Sequence, residues 1–329
     1  MSLLKHDIME PVSVGMAETD RLMREELLRD DTASVHELME HIGQYSGKRL
    51  RPALVHLCGG LVGGSDKLAE LASIGAMLEA LHMATLLHDD VLDGADVRRQ
   101  VPTLNATYGN QVPILLGDLI YARTFDMSLR LPDLVAAVEI SRMTQDVCRG
   151  EIDQSFFKFD GSRPDEARYF RVIQGKTGAM FRTACHLGVI YGGGSPEHAA
   201  AMASFGLELG TAFQIIDDCL DVVGDEEVAG KSLGTDLETG KVTLPLIRLA
   251  ETLDDARLEQ LRAVCAGELG VSRRDKLRED FAIEKAVTVC HEEANVYLRS
   301  CLERLDQFAP GDERQSLQDM CTFVLERTY

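Results

Sequence analysis

Hydrophobic residues recur along this chain at helical spacing, with no strand-like alternation. From about Met16 to Ile42, Leu and Met stand three and four residues apart among charged residues, the pattern of one or two amphipathic helices. Tyr45–Pro52 is a basic turn whose Pro52 can open the next helix at its first position, and Gly59–Gly64 breaks that helix. Ser65 or Asp66 is the expected N-cap of a long helix whose stretch from Leu81 is apolar without a breaker. Pro102–Asn110 reads as a turn, followed by helices to about Leu131 and from Pro132 to about Phe157. After a loop at Gly161–Pro164, a helix carries Gln174–Gly178 and stops at the glycines 192–194. Another runs from Ser195–Pro196 to Asp221. Gly224–Gly240 is glycine-punctuated and charged, the expected mobile loop and lid, and helices resume at Lys241. The pattern predicts an all-α protein: one domain, residues 1–329, of ten or more helices.

Composition supports that reading. Of 329 residues, 45% are hydrophobic, which allows a large core, and tryptophan is absent. A net charge of −20 argues against nucleic acid or anionic lipid as the partner. The eight cysteines form no CxxC pair and lack zinc spacing, so they are expected as reduced core residues of a cytoplasmic protein. No signal peptide is expected. Nor is a transmembrane segment, since charge or glycine breaks each apolar run short of the ~18 residues a span needs.

Two stretches carry candidate chemistry. Leu87-His-Asp-Asp-Val-Leu-Asp93 closes the long apolar helix with Asp89, Asp90 and Asp93, and Phe213-Gln-Ile-Ile-Asp-Asp-Cys-Leu-Asp221 closes the other with Asp217, Asp218 and Asp221. Asp89 and Asp93, like Asp217 and Asp221, are four apart, so their carboxylates share a helical face and repel. One such cluster is ordinarily a solvated helix end. Two, each on a strongly apolar helix, point to divalent cations, and Mg²⁺ suits one or two carboxylates completed by water and phosphate. Basic residues accompany them: Lys48, Arg49 and Arg51 before the first cluster, Arg98 and Arg99 after it, Lys176 between the clusters, Lys231 and Lys241 after the second. Singly these are surface solubilisers; together with two acidic triads they outline a polyanion site. Gly175-Lys-Thr177 lacks the upstream glycine and the preceding strand of a nucleotide P-loop.

With Gly47-Lys-Arg-Leu-Arg-Pro52 and Gly230-Lys-Ser-Leu-Gly-Thr-Asp236, these motifs stand in an order and spacing over about 47–245 that resembles the trans-polyprenyl diphosphate synthases of the polyprenyl synthetase family. Beyond about Thr252 the likeness is only helical. The resemblance implies an isoprenoid-synthase helical bundle around a central cavity, in a homodimer. It implies Mg²⁺ bound by Asp89 and Asp93 from one wall and Asp217 from the other, with Asp90, Asp218 and Asp221 in outer roles. It assigns an allylic prenyl diphosphate to the metals and to Arg98, Lys176, Thr177, Gln214 and Lys231, and isopentenyl diphosphate to Lys48, Arg51, His82 and Arg99. His82, seven residues before Asp89, lies on the same helical face, though alone it would read as a core histidine. A terpene cyclase-like lyase would not need the second pocket. A non-catalytic subunit of a heteromeric synthase would be expected to have lost an acidic motif, and an acidic metal-buffering protein would leave the basic residues unexplained. Short-chain members carry bulky aromatics just before the first acidic motif. Here Ala84 and Thr85 are small, so a product longer than geranylgeranyl diphosphate is expected, unless a residue such as Phe125 closes the path.

Overall fold

A computed structural model describes residues 8–29, 32–45, 47–224, 233–267 and 272–327. Lys231, and with it most of the expected lid, lies outside the described residues. In chain order the helices are α1 (Ser13–Leu27), α2 (Ala33–Gly43), α3 (Leu50–Leu61), α4 (Leu68–Asp93), α5 (Leu104–Tyr108), α6 (Gln111–Leu129) and α7 (Val135–Ser155). They continue as α8 (Glu166–Ile173), α9 (Ala179–Tyr191), α10 (Pro196–Val223), α11 (Thr235–Glu238), α12 (Leu244–Glu251), α13 (Asp255–Cys265), α14 (Arg273–Asp280), α15 (Ile283–Leu305) and α16 (Asp312–Leu325). A short 3₁₀ turn at Glu10–Val12 precedes them, and a π-helical turn, Gln174–Gly178, joins α8 to α9. The fold is all-α, as expected. The one sheet among the described residues is a hairpin of β1 (Val97–Arg98) and β2 (Val101–Pro102).

The chain forms two compact units. The first comprises residues 1–142, 181–204 and 307–319, the second 143–180, 205–306 and 320–329. In the first, α4 packs against α1, α3 and α6. Its apolar residues occupy all sides of the helix, the signature of a buried one. Leu71, Ile74, Met77, Leu78, Leu81 and Leu87 are all buried, and each such side chain contributes about 1.5–3 kcal/mol. α1 is fixed to α3 by a buried pair: Thr19 Oγ1 lies 2.9 Å from His56 Nε2. In the second unit α12 packs on α15, and Arg248 ties Glu166 of α8 to Glu293 of α15.

Several local expectations give way. α4 starts at Leu68 behind Lys67, which has no side-chain acceptor, so neither Ser65 nor Asp66 caps it. α3 starts at Leu50, which puts Pro52 at its third position. Within the expected turn 102–110, Thr103 caps the short helix α5 by accepting from Ala106 N. The described part of the expected loop 224–240 carries the short helix α11. On length and composition α4 and α10 do reach a membrane span, against expectation, but most of each apolar window is buried inside the protein. They are core helices. All eight cysteines are free thiols, seven of them buried.

Candidate active site

The first acidic set sits in the last turns of α4. Gly94, left-handed at φ 63°, ends the helix, and Ala95 N donates to Asp90 O at 2.9 Å. Carboxylates at a helix C-terminus face the negative pole of the dipole, and no basic residue lies in that last turn. The side chains diverge. Asp90 is buried and its Oδ1 accepts from Arg98 Nε at 2.8 Å and Nη2 at 2.7 Å, while Oδ2, also buried, has no hydrogen-bond partner among the described residues. Burial raises its pKa, opposed by the Arg98 bonds. Asp89 is half-buried and Asp93 exposed.

Arg98 is set by the β1–β2 hairpin, whose register pairs Val97 with Pro102 and Arg98 with Val101. The two turn residues, Arg99 and Gln100, both have positive φ (50° and 67°), as a tight two-residue hairpin demands. Neither is glycine, so the turn carries strain of order 1–3 kcal/mol per residue. Arg99 Nη1 donates to Tyr45 O at 3.2 Å, and a Cβ on Gly47 would fall 2.8 Å from that nitrogen. This brings the Gly47–Lys48 turn against Arg99. Arg49, also left-handed at φ 51°, caps α3 and pairs with buried Glu79 at 2.9 Å. The Arg51 guanidinium lies 5.4 Å over the Phe181 ring, with a buried Nε that no described residue accepts from. Burial lowers the Arg51 pKa, partly offset by Glu79. His82 is held well below its ordinary pKa, first by burial and then by the charges of Arg51, Arg99, Arg98 and Arg49. Its imidazole is therefore neutral, a hydrogen-bonding group inside a shell of cations. Arg51, Arg98 and Arg99 thus lie around His82, and Lys48 is half-buried in the adjoining turn. Arg49 and Glu79 join them without having been assigned from sequence.

The second unit repeats the arrangement at the end of α10. Asp218 is buried and accepts from Tyr169 Oη at 2.7 Å and Gln214 Nε2 at 2.8 Å. Gln214 Oε1 in turn accepts from Thr177 Oγ1 at 2.7 Å. Burial, then Asp236, raises the Asp218 pKa. Asp221 accepts from the backbone N–H groups of Gly234 (3.1 Å), Thr235 (3.3 Å) and Asp236 (3.1 Å), so it caps α11. Asp217 pairs with Arg327 at 2.8 Å. Lys176 pairs with Glu151 and donates to Gln154 Oε1 at 3.2 Å; Lys241 lies 3.6 Å from Asp236, whose carboxyl is pushed up to about 6 by burial and by Asp221. A polar cleft is lined by Tyr169, Lys176, Thr177, Gln214, Asp236 and Lys241. The π-turn presents Lys176 and Thr177 to it. Glycine permits the turn: a Cβ on Gly175 would fall 2.9 Å from Asp146 O, and one on Gly150 2.9 Å from Lys176 N, so the backbone packs directly on α7. Tyr169 and Arg327 are further members that no local pattern in the sequence marks, and Asp236, which closes the motif 230–236, joins them without having been assigned a role. Lys241, noted as a basic neighbour, takes its place beside them.

Among the described residues no three His, Cys, Asp or Glu side chains converge to hold a metal. Mg²⁺ takes one or two carboxylates and completes its shell with water and phosphate, so it does not require such a cluster. Hard oxygen donors at a helix C-terminus, with an unsatisfied buried Asp90 oxygen beside them, fit such an ion.

The helical fold and this double set of acidic and basic side chains define the chain as a prenyltransferase. Residues 32–279 match the family described as Polyprenyl synthetase. The chain is 32% identical over 324 residues, 98% of each protein, to an all-trans-nonaprenyl-diphosphate synthase (geranyl-diphosphate specific) of Rhodobacter capsulatus. It is also 32% identical, over 94% of its length and 95% of the relative's, to a short chain isoprenyl diphosphate synthase of Methanothermobacter thermautotrophicus. A crystal structure of a polyprenyl synthase from Caulobacter crescentus, complexed with calcium and isoprenyl diphosphate, superimposes with a TM-score of 0.90 at 29% identity, covering 99% of this chain and 98% of that one. The chain belongs to the polyprenyl synthetase family.

Proposed function

We propose that this chain is an Mg²⁺-dependent trans-polyprenyl diphosphate synthase that condenses isopentenyl diphosphate with an allylic prenyl diphosphate, head to tail. The observation that carries the reading is the pair of core helices, each ending in carboxylates at its negative pole, each with arginine or lysine close by. Asp89, Asp93 and Asp217 would hold the metal, which supplies charge to stabilise the departing diphosphate. Lys176, Thr177, Gln214, Arg98 and, outside the described residues, Lys231 would bind the allylic diphosphate, with Lys241 as a further cation. Lys48, Arg51, His82 and Arg99 would bind isopentenyl diphosphate; the neutral His82 can donate to it without adding to the surrounding charge.

In the reaction the allylic C–O bond ionises and its electron pair leaves with the diphosphate. The double bond of isopentenyl diphosphate attacks the resulting carbocation, and the released diphosphate takes the proton whose loss regenerates an alkene. No side-chain base is required. The arginines and lysines bind and orient, and they stabilise developing negative charge. The whole chain, 1–329, works as one functional domain, in a cytoplasmic homodimer. Exposed Ile114, Leu115, Phe125 and Leu129 on one face of α6 supply an apolar surface for the second copy. The product is longer than geranylgeranyl diphosphate, on the small side chains of Ala84 and Thr85. Incubation with labelled isopentenyl diphosphate and farnesyl diphosphate, with and without Mg²⁺, tests the reading: label extracts as a longer prenyl diphosphate only with metal. A cyclised hydrocarbon, or no metal-dependent product, overturns it.

A further inference from the structure

The three aspartates at the end of α10 are satisfied in different ways. Asp218 is held by Tyr169 and Gln214, and Asp221 by the backbone of 234–236. Asp217 instead faces a cation: Arg327 Nη2 reaches its Oδ1 at 2.8 Å. Arg327 is the last described residue, two beyond the end of α16. Its side chain is nonetheless only 5% exposed, against 31% for that of Asp217, and its guanidinium lies 4.2 Å over the Phe213 ring. The arginine is therefore packed over the carboxylate and stacked on an aromatic on the same helix, one turn earlier.

That oxygen belongs to the carboxylate assigned to the metal. A dication approaching Asp217 meets the guanidinium charge a hydrogen bond away from the same atom, and the two repel. We infer that Arg327 is the built-in counter-ion of Asp217, a positioning residue that holds the carboxylate until metal and diphosphate arrive together and then passes to the diphosphate. The inference rests on the metal role proposed for Asp217. A planar guanidinium suits both stations, since its fork matches carboxylate and phosphate alike. Lys176 and Lys241 also pair with carboxylates in the same unit, but neither partner, Glu151 or Asp236, is assigned to a metal. The exchange at Arg327 would link metal loading to substrate. Metal without diphosphate is then disfavoured, because displacing the arginine leaves a desolvated charge with nothing to bind. With diphosphate present the arginine gains a new partner.

The test is equilibrium binding of Mn²⁺ to the full chain, read by electron paramagnetic resonance, alone and with inorganic pyrophosphate. Arg327→Gln is expected to bind Mn²⁺ alone about fivefold more tightly than wild type, the lower end of an ordinary coupling between sites. It is expected to bind the Mn²⁺–pyrophosphate pair more weakly, by a similar factor. Phe213→Leu, which keeps both charges and removes the stacking surface, should shift both affinities in the same directions by less; thermal melts check that both variants fold. Unchanged or weaker Mn²⁺ binding by Arg327→Gln in the absence of pyrophosphate overturns the counter-ion role, and a gain there without a loss in the presence of pyrophosphate overturns the hand-over. Asp217→Asn separates the two levels. If it binds Mn²⁺ as wild type does, the metal role of Asp217 fails and the inference falls with it; if it loses the ion while Arg327→Gln behaves as wild type, only the inference fails.

Discussion

Six aspartates, Asp89, Asp90, Asp93, Asp217, Asp218 and Asp221, occupy the helix ends where the backbone dipole disfavours them. Four apart on one face, two of each triad also repel one another. A bound divalent cation would offset that cost. Hence Asp89→Ala or Asp217→Ala should lower turnover by roughly three orders of magnitude or more, the scale of a lost electrostatic stabiliser, while metal-free Asp89→Ala melts no lower than wild type. Activity close to wild type in either would remove that residue from the metal site. The basic residues divide by pocket. Lys48→Ala and His82→Ala should raise KM for isopentenyl diphosphate more than for the allylic substrate, and Lys176→Ala should do the reverse; equal shifts in both would dissolve the division. At this scale the sequence is legible wherever partners are close along the chain. Asp89 and Asp93, or Asp90 and Arg98 eight residues on, announce themselves. Arg49 with Glu79, Tyr169 with Asp218 and Arg327 with Asp217 are 30, 49 and 110 residues apart, and only the fold introduces them.

Helices long enough to show their period are read correctly from the chain, and short irregular elements are not. The hairpin at 97–102 has Arg-Gln in its turn, where Asn-Gly would have signalled it, so it was invisible; yet it aims Arg98 at Asp90. The π-turn at 174–178 reads as ordinary helix because an inserted residue leaves no mark in composition, and its cause, the contact of Gly175 and Gly150 with neighbouring backbone, lies in tertiary packing. The Ser65/Asp66 cap failed because a helix as apolar as α4 is held by burial and does not need one. Docking of α1 on α3 yields a prediction of its own. Burial holds the His56 pKa down to about 4 from 6.5, and its ring bonds Thr19. Between those pH values the unfolded chain binds a proton that the folded chain refuses, so folding stability is full above about 6.5 and declines as pH falls towards 4. A shift of that size corresponds to roughly 3 kcal/mol. Urea denaturation at pH 7.5 and pH 5 should therefore show a larger loss for wild type than for His56→Gln; parallel losses would mean that His56 does not titrate with unfolding.

Over the whole chain, the same device appears once in each compact unit, an apolar helix closing in carboxylates with cations nearby, and the family match spans most of both. The net charge of −20 makes self-association through charge unfavourable, so a dimer must be held by apolar contact. Sedimentation should give a dimer for wild type and a monomer for Leu115→Glu/Phe125→Glu; a monomeric wild type, or a dimeric variant, would remove α6 from the interface. Product length is the last property the whole molecule decides. The growing prenyl chain is expected to run from Asp89 back along α4. On that helix Ala84 has no accessible surface, whereas Thr85 is half-buried, with its hydroxyl turned back to bond His82 O at 2.8 Å. An open path on this face therefore passes Thr85, and a bulky residue at Ala84 would strain the core before it blocked the chain. Phe125 is 51% exposed, the position of a surface residue more than of a plug. Leu81 and Leu78, the next residues back, lie buried, the farther one roughly 16 Å of helix from Asp89. That length accommodates several isoprene units beyond farnesyl. Thr85→Phe puts an aromatic ring one turn below the carboxylate and should shorten the product to geranylgeranyl length or less with ionisation of the primer intact. Chromatography of the dephosphorylated products decides the matter. A wild-type enzyme that stops at farnesyl, or a Thr85→Phe enzyme whose product is unchanged, would show that the chain does not travel along α4.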